Sequence, residues 1–99
     1  MYTQCATFNL VEFEWDENKE RKNLEKHGID FDQASEIWKG AVLEITRSDR
    51  SGEERTVAIG TYEQVCYAVI YTKRVGKIRI ISARRARRRE RAHYQKTLG

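Results

Sequence analysis

The sequence predicts an α+β domain in which helices pack on one antiparallel sheet, in the order β-α-α-β-β-β-β-α. Three observations carry that expectation. Two capped, polar helical stretches occupy residues 17–39, four apolar runs fill residues 41–82, and a helix-forming arginine run closes the chain. Ninety-nine residues suffice for one modest core, and neither proline nor a low-complexity linker nor a repeat marks a boundary. Residues 1–99 are therefore expected to be one domain, with 1–11 a loose leader or the start of a first strand.

Each element has a local cause. Val11, Phe13 and Trp15 alternate with Glu12 and Glu14, the period of a half-buried strand. Asp16 is placed to N-cap a polar helix over 17–27, which Gly28 ends, with Leu24 as its strong apolar anchor. Asp30 and Gln33 make a capping box, with Ile29 as a staple, for a second helix over 31–39 that buries Phe31, Ala34, Ile37 and Trp38. Strands follow at 41–47, 55–60, 65–72 and 77–82. A polar turn around Ser51–Gly52 and a hairpin loop at 73–76, where Gly76 suits a positive φ, connect them. The last two strands are apolar on both faces, which marks them as central, with Cys66, Val69 and Ile80 in the core. Arg, Ala and Glu then favour a terminal helix over 84–96. On its wheel Ala83, Ala86, Glu90, His93 and Tyr94 form a thin seam, and arginines cover the rest.

Composition narrows the function. No apolar run approaches the ~20 residues of a membrane span, and the N-terminus lacks the order of a signal peptide, so the cytoplasm is expected. Cys66 lies in an apolar run and reads as a buried free thiol. With no CxxC and no second ligand cluster, neither a structural metal nor a cofactor is expected. The net charge of +4 hides a split. Residues 1–63 hold 14 Asp/Glu against 8 Lys/Arg, whereas residues 64–99 hold one Glu against 11 Lys/Arg. A positive half on a small protein points to a polyanion, most often nucleic acid.

Residues 84–91, RRARRRER, concentrate that charge: six arginines in eight positions, with Glu90 alone to offset them. Such density is unfavourable through like-charge repulsion along a helix, unless an anionic ligand neutralises it or the arginines pair with the acidic N-terminal half. The absence of lysine there favours bidentate guanidinium recognition of phosphate over diffuse attraction. Arg79, between Ile78 and Ile80, projects from the opposite sheet face. It either meets a ligand there or pairs with an acid such as Glu63.

Two segments, FEWDENKERKNLEKHGIDFDQA (13–34) and YTKRVGKIRIISARRARRRERAHY (71–94), resemble the BrnT family of toxins. The matching signatures are WDxxK at Trp15–Lys19, KHGIxF at Lys26–Phe31 and RIISARxAxxxER from Arg79 to Arg91. The resemblance implies a RelE-like fold and a metal-independent endoribonuclease that arrests translation. It also implies a BrnA-like ribbon-helix-helix antitoxin as partner, with DNA contacted only through that antitoxin.

Metal-free RNA cleavage needs a base for the 2′-hydroxyl, an acid for the 5′-oxygen, and cations for the phosphorane. Arg79, Arg84, Arg85 and Arg88 are the expected cations. His27, His93, Glu90, Tyr94 and Lys26 are the open choices for acid and base. Four of these have a structural alternative: His27 as a helix cap, Glu90 as a brace to Arg87 or Arg91, His93 as a surface residue, Tyr94 as packing. Trp15 and Trp38 read as core or partner contacts rather than base-stacking residues. Lys26, Arg55, Arg87, Arg89, Arg91 and Tyr94 are expected to touch RNA. Trp15, Arg79 and Arg84 are expected to touch the antitoxin, in a heterotetramer built on paired ribbon-helix-helix parts. A non-catalytic RNA-binding or ribosome-associated module is the competing reading.

Overall fold

A computed structural model describes residues 2–8, 11–48, 52 and 54–98, with side chains from residue 12 onward. Strands β1 (Tyr2–Phe8) and β2 (Val11–Asp16) lead into helices α1 (Glu17–His27) and α2 (Phe31–Ser35) and a 3-10 segment (Glu36–Lys39). Strands β3 (Leu43–Ser48), β4 (Glu54–Tyr62), β5 (Val65–Arg74) and β6 (Lys77–Arg85) follow, and helix α3 (Arg88–Leu98) ends the chain. Among the described residues, six strands form one sheet in the order β1-β2-β6-β5-β4-β3. No helix among them is long and apolar enough to cross a membrane.

The α+β class holds, but the sheet is mixed rather than antiparallel. β2 runs parallel to β6, with Phe13 opposite Ile78 and Trp15 opposite Ile80. Parallel neighbours need a long crossover, and here α1, α2 and the β3–β5 meander supply it. β1 adds a strand ahead of the expected order, antiparallel to β2. Helices also lie on both faces instead of one. Phe13, Trp15, Ile29, Phe31, Ala34, Ile37, Val69, Tyr71 and Ile80 form the main core under α1 and α2. Ile59, Ala68 and Ala86, with Leu43, Ile45, Val57, Cys66 and Tyr94 packed around them, form a smaller core on the α3 side. Val69 and Ile80 are buried as expected, while Cys66 is only half-buried.

The caps lie where short-range chemistry puts them. Asp16 accepts the Asn18 and Lys19 N–H groups, and Gly28 closes α1 at φ 72°. Asp30 and Gln33 form the reciprocal capping box of α2. The expected second helix is divided, five α residues followed by four 3-10 residues. Gly60 explains the close seat of that 3-10 segment on β4, because a Cβ there would sit 2.9 Å from the Ile37 Cβ. Val75–Gly76 turns β5 into β6, with Gly76 at φ 75°. The turn expected around Ser51–Gly52 falls largely outside the described residues.

Two expectations about helices fail for one reason, the demands of partners already in place. The terminal helix starts at Arg88 rather than Arg84, because β6 stays paired with β5 through Arg84 opposite Ala68 and Arg85 opposite Tyr67. The Ala86 N–H extends that pairing to the Cys66 carbonyl at 2.9 Å. Leu24, the expected anchor of α1, is 47% exposed, and Asn23 is buried in its stead. Its carboxamide accepts the Ala83 N–H at 3.0 Å and the Ser82 hydroxyl at 3.3 Å, and donates to the Ile29 carbonyl at 3.0 Å.

Truncating Asn23 leaves two buried backbone groups unsatisfied, so Asn23→Ala should lower stability by on the order of 2–3 kcal/mol. Leu24→Ala should cost about 0.5 kcal/mol or less. Urea-unfolding midpoints at constant slope compare the two, and the reverse ranking would contradict a polar anchor for α1.

Candidate functional site

Among the described residues, the sheet face turned away from α1 and α2 is covered at one end and open at the other. α3 lies over the row Leu43–Ile59–Ala68, held there by Ala86 and Tyr94, whose hydroxyl donates to the Ala41 carbonyl at 3.0 Å. The next row, Ile45–Val57–Ile70, leads away from the helix. Beyond it the register builds a polar row on the same face. Arg47 stands opposite Arg55, Thr72 opposite Arg79, and Arg79 opposite Glu14. Continuing the β4–β5 register by one pair sets Arg55 beside Thr72.

That row spans five strands, with neighbours separated by the ~4.8 Å of strand spacing. Arg47 is exposed, and Arg55, Arg79 and Glu14 are half-buried. Two arginines directly opposite each other are unfavourable unless something negative lies over them. Thr72, at the centre, is 4% exposed, and its buried hydroxyl has no hydrogen-bond partner among the described residues. Guanidiniums on a flat, partly dry surface suit the oxygens of a phosphodiester.

A second group lies where β6 meets α3. Arg84 makes a bidentate pair with Glu90, Nη1 to Oε1 at 2.7 Å and Nη2 to Oε2 at 3.0 Å, and both side chains are only 18% exposed. The same Oε1 accepts the Arg87 N–H at 2.7 Å, so Glu90 also closes the first turn of α3. The Arg84 hydrogen bonds hold the Glu90 carboxyl below its ordinary value, and the Glu90 carboxylate in turn raises the guanidinium's. Arg91 donates to the Ala86 carbonyl at 2.6 Å. Nearby, burial pushes the Cys66 thiol up, with Arg91 pulling the other way.

The arginine cluster therefore divides by task. Arg84, Glu90 and Arg91 join strand to helix; Arg87, Arg88 and Arg89 are exposed around the start of α3. Glu90 is a brace, but to Arg84 rather than to the Arg87 or Arg91 side chain. Arg85 leaves β6 on the face opposite Arg84, beside Tyr67. His93 is exposed on α3, and Tyr94 is packed. Lys26 and His27 are exposed on α1, across the sheet from Arg79, so they do not join the arginine row. Trp15 requires correction as an antitoxin contact. It is 2% exposed and meets Phe31 edge-on, with centroids 6.1 Å apart, because its alternation in β2 turns it into the main core.

Arg47, Thr72 and Glu14 are the row members that sequence reasoning missed. Their signal was period two: Leu43, Ile45 and Arg47 share a face, as do Ile70 and Thr72, but only the register joins those strands. A cavity of about 330 Å³ opens on the other face, lined chiefly by Trp38, Tyr71 and Ile78. Its acid is engaged, since the Tyr71 hydroxyl donates to Glu44 and burial pushes that hydroxyl well above a phenol's ordinary value.

A family model described as ribonuclease toxin, BrnT, of type II toxin-antitoxin system matches residues 15–90. The matched span runs from the end of β2 to the first turn of α3 and includes Arg47, Arg55, Thr72, Arg79, Arg84 and Glu90. No curated protein matches the chain.

Arg84→Ala should destabilise by about 1–2 kcal/mol, since solvent partly screens the pair. The depressed Glu90 carboxyl adds a pH signature. Its contribution is full above the ordinary value of 4.5 and is lost as pH falls through the lower folded value. The stability difference between wild type and Glu90→Gln should thus be constant near neutrality and close in acid, as read from urea midpoints against pH.

Proposed function

The chain belongs to the BrnT family of ribonuclease toxins of type II toxin–antitoxin systems, and from that premise we propose that the open arginine row is where it cuts RNA, without a metal ion. The observation that carries the reading is the row itself: Arg47, Arg55 and Arg79 in register on one sheet face, around the buried Thr72. The fold is then RelE-like in use, with helices α1 and α2 behind the sheet and the substrate on the exposed face.

In this mechanism the 2′-hydroxyl attacks the adjacent phosphorus, and Glu14, opposite Arg79, takes its proton. The bond to the 5′-oxygen breaks, and that oxygen takes a proton from solvent. Charge gathers on the phosphorane oxygens, where Arg55 and Arg79 offset it without reorganising. Arg87, Arg88 and Arg89 draw the RNA backbone toward the row. Cutting RNA in the cytoplasm arrests translation.

The family implies an antitoxin, and we assign that role to a BrnA-like ribbon-helix-helix protein in a heterotetramer. An acidic segment of the partner would cover the row near Arg79, giving fast and salt-sensitive association.

The test is RNA incubated with purified protein in EDTA. Wild type should yield fragments, and Arg79→Ala or Arg55→Ala should slow cleavage by on the order of 10²–10³ while the folded signal persists. RNA that is shifted in a gel yet stays intact would establish the non-catalytic binder instead.

A further inference from the structure

A second basic site lies on the far side of β6 from the arginine row. A groove of about 290 Å³ runs between α1 and β6, lined by Lys19, Lys22, Asn23, Lys26, His27, Ile81 and Ser82. Lys19, Lys22 and Lys26 share one face of α1, and the helical rise sets the first and last ~10 Å apart. All three and His27 are exposed. The groove has no carboxylate in its lining, although residues 1–63 hold 14 acids against 8 Lys/Arg. The acids of α1 fall elsewhere: Glu17 and Glu20 line a separate cleft with Arg21, Leu24 and Asp30. Charge on this helix is sorted by face.

We propose that this groove is an RNA-backbone subsite that holds nucleotides flanking the one cut on the arginine row. The inference rests on the ribonuclease reading and extends it. Its route is set by β6. Pairing with β2 ends at Trp15 opposite Ile80, and Ile81 is an extra residue in the β5–β6 register, where Ser82 pairs with Ile70 and Ile80 with Tyr71. Among the described residues no strand continues along that edge past Ile80, and α1 packs there instead, its Asn23 carboxamide taking the Ala83 N–H and the Ser82 hydroxyl. Arg79 lies two residues before the extra residue Ile81, on the other face. A single strand leaving the arginine row would round the protein at this edge to reach the lysine ladder. Lysines act as point charges on phosphate without reading bases, and the half-buried Ile81 lines the groove beside them. The recognition is of backbone, not sequence.

The experiment uses Lys19→Gln/Lys22→Gln in the full chain, with a trinucleotide and a longer single-stranded RNA as substrates. The trinucleotide is too short to reach the groove and reports the arginine row alone. Each lost phosphate contact should flatten the logarithmic salt dependence of long-RNA binding by ~0.7, so the double variant should lose about 1.4. KM for the long RNA should rise several-fold with kcat retained. An unchanged slope and KM overturn the subsite. So does a variant that keeps long-RNA affinity but no longer captures the antitoxin, since the groove would then serve an acidic protein segment. If wild type cuts neither substrate, the ribonuclease reading fails, and the binding slope still decides whether the groove holds RNA.

Discussion

The carboxamide of Asn23 closes a gap beside β6 where, among the described residues, the pairing with β2 has ended. β2 pairs with β6 only as far as Ile80, and beyond that the Ala83 N–H has no strand on its outer edge among the described residues. Asn23 accepts that N–H, takes the Ser82 hydroxyl, and donates back to Ile29 at the start of α2's approach. One side chain thus replaces a strand partner, docks α1 and aims the 28–30 turn. A leucine there would bury more apolar area yet leave backbone polar groups stranded, at a greater cost. Both basic surfaces depend on it. The arginine row needs β6 in register, and the lysine ladder needs α1 held beside the bulge.

Electrostatics is organised by the same strand. The arginines of the positive half are not a single patch but two groups in sequence. Arg84 and Glu90 hold the end of β6 against the start of α3 through a bidentate pair. Arg79, five residues earlier, faces the uncovered sheet with Arg47 and Arg55. A bidentate pair sheltered from solvent is worth more than the exposed charges around it. The residues nearest Glu90 are therefore structural, and the row farther from α3 is the surface proposed above for RNA. α3 stops short of the row, and the face it leaves open is the face with like charges opposed.

Much was legible locally. Asp16, Gly28 and the Asp30–Gln33 box depend on contacts within a few residues, and they formed as their chemistry requires. Alternation in β2, β5 and β6 marked the strands, and the arginine motif marked the family. Other features had no local signal. Glu63 and Gln64 turn β4 into β5 with φ of 50° and 68°, although neither residue type announces such a turn. Arg47 looked like any strand-end cation until the register placed it against Arg55. Trp15 could be read as core or as a partner contact, and burial put it in the core.

By itself the sequence determined the capped helices, the strand-forming runs, the polarised charge and the family resemblance, because each rests on near neighbours or on composition. Tertiary structure decided that β2 and β6 run parallel, that α3 begins at Arg88, and that Asn23 rather than Leu24 anchors α1. It also decided which arginines brace β6 against α3 and which lie in one row across the sheet. The reason is physical. A residue's propensity is a few tenths of a kcal/mol to about one, whereas an unsatisfied buried N–H or carboxylate costs ~1–3, so partners distant in sequence overrule the local preference wherever the two disagree.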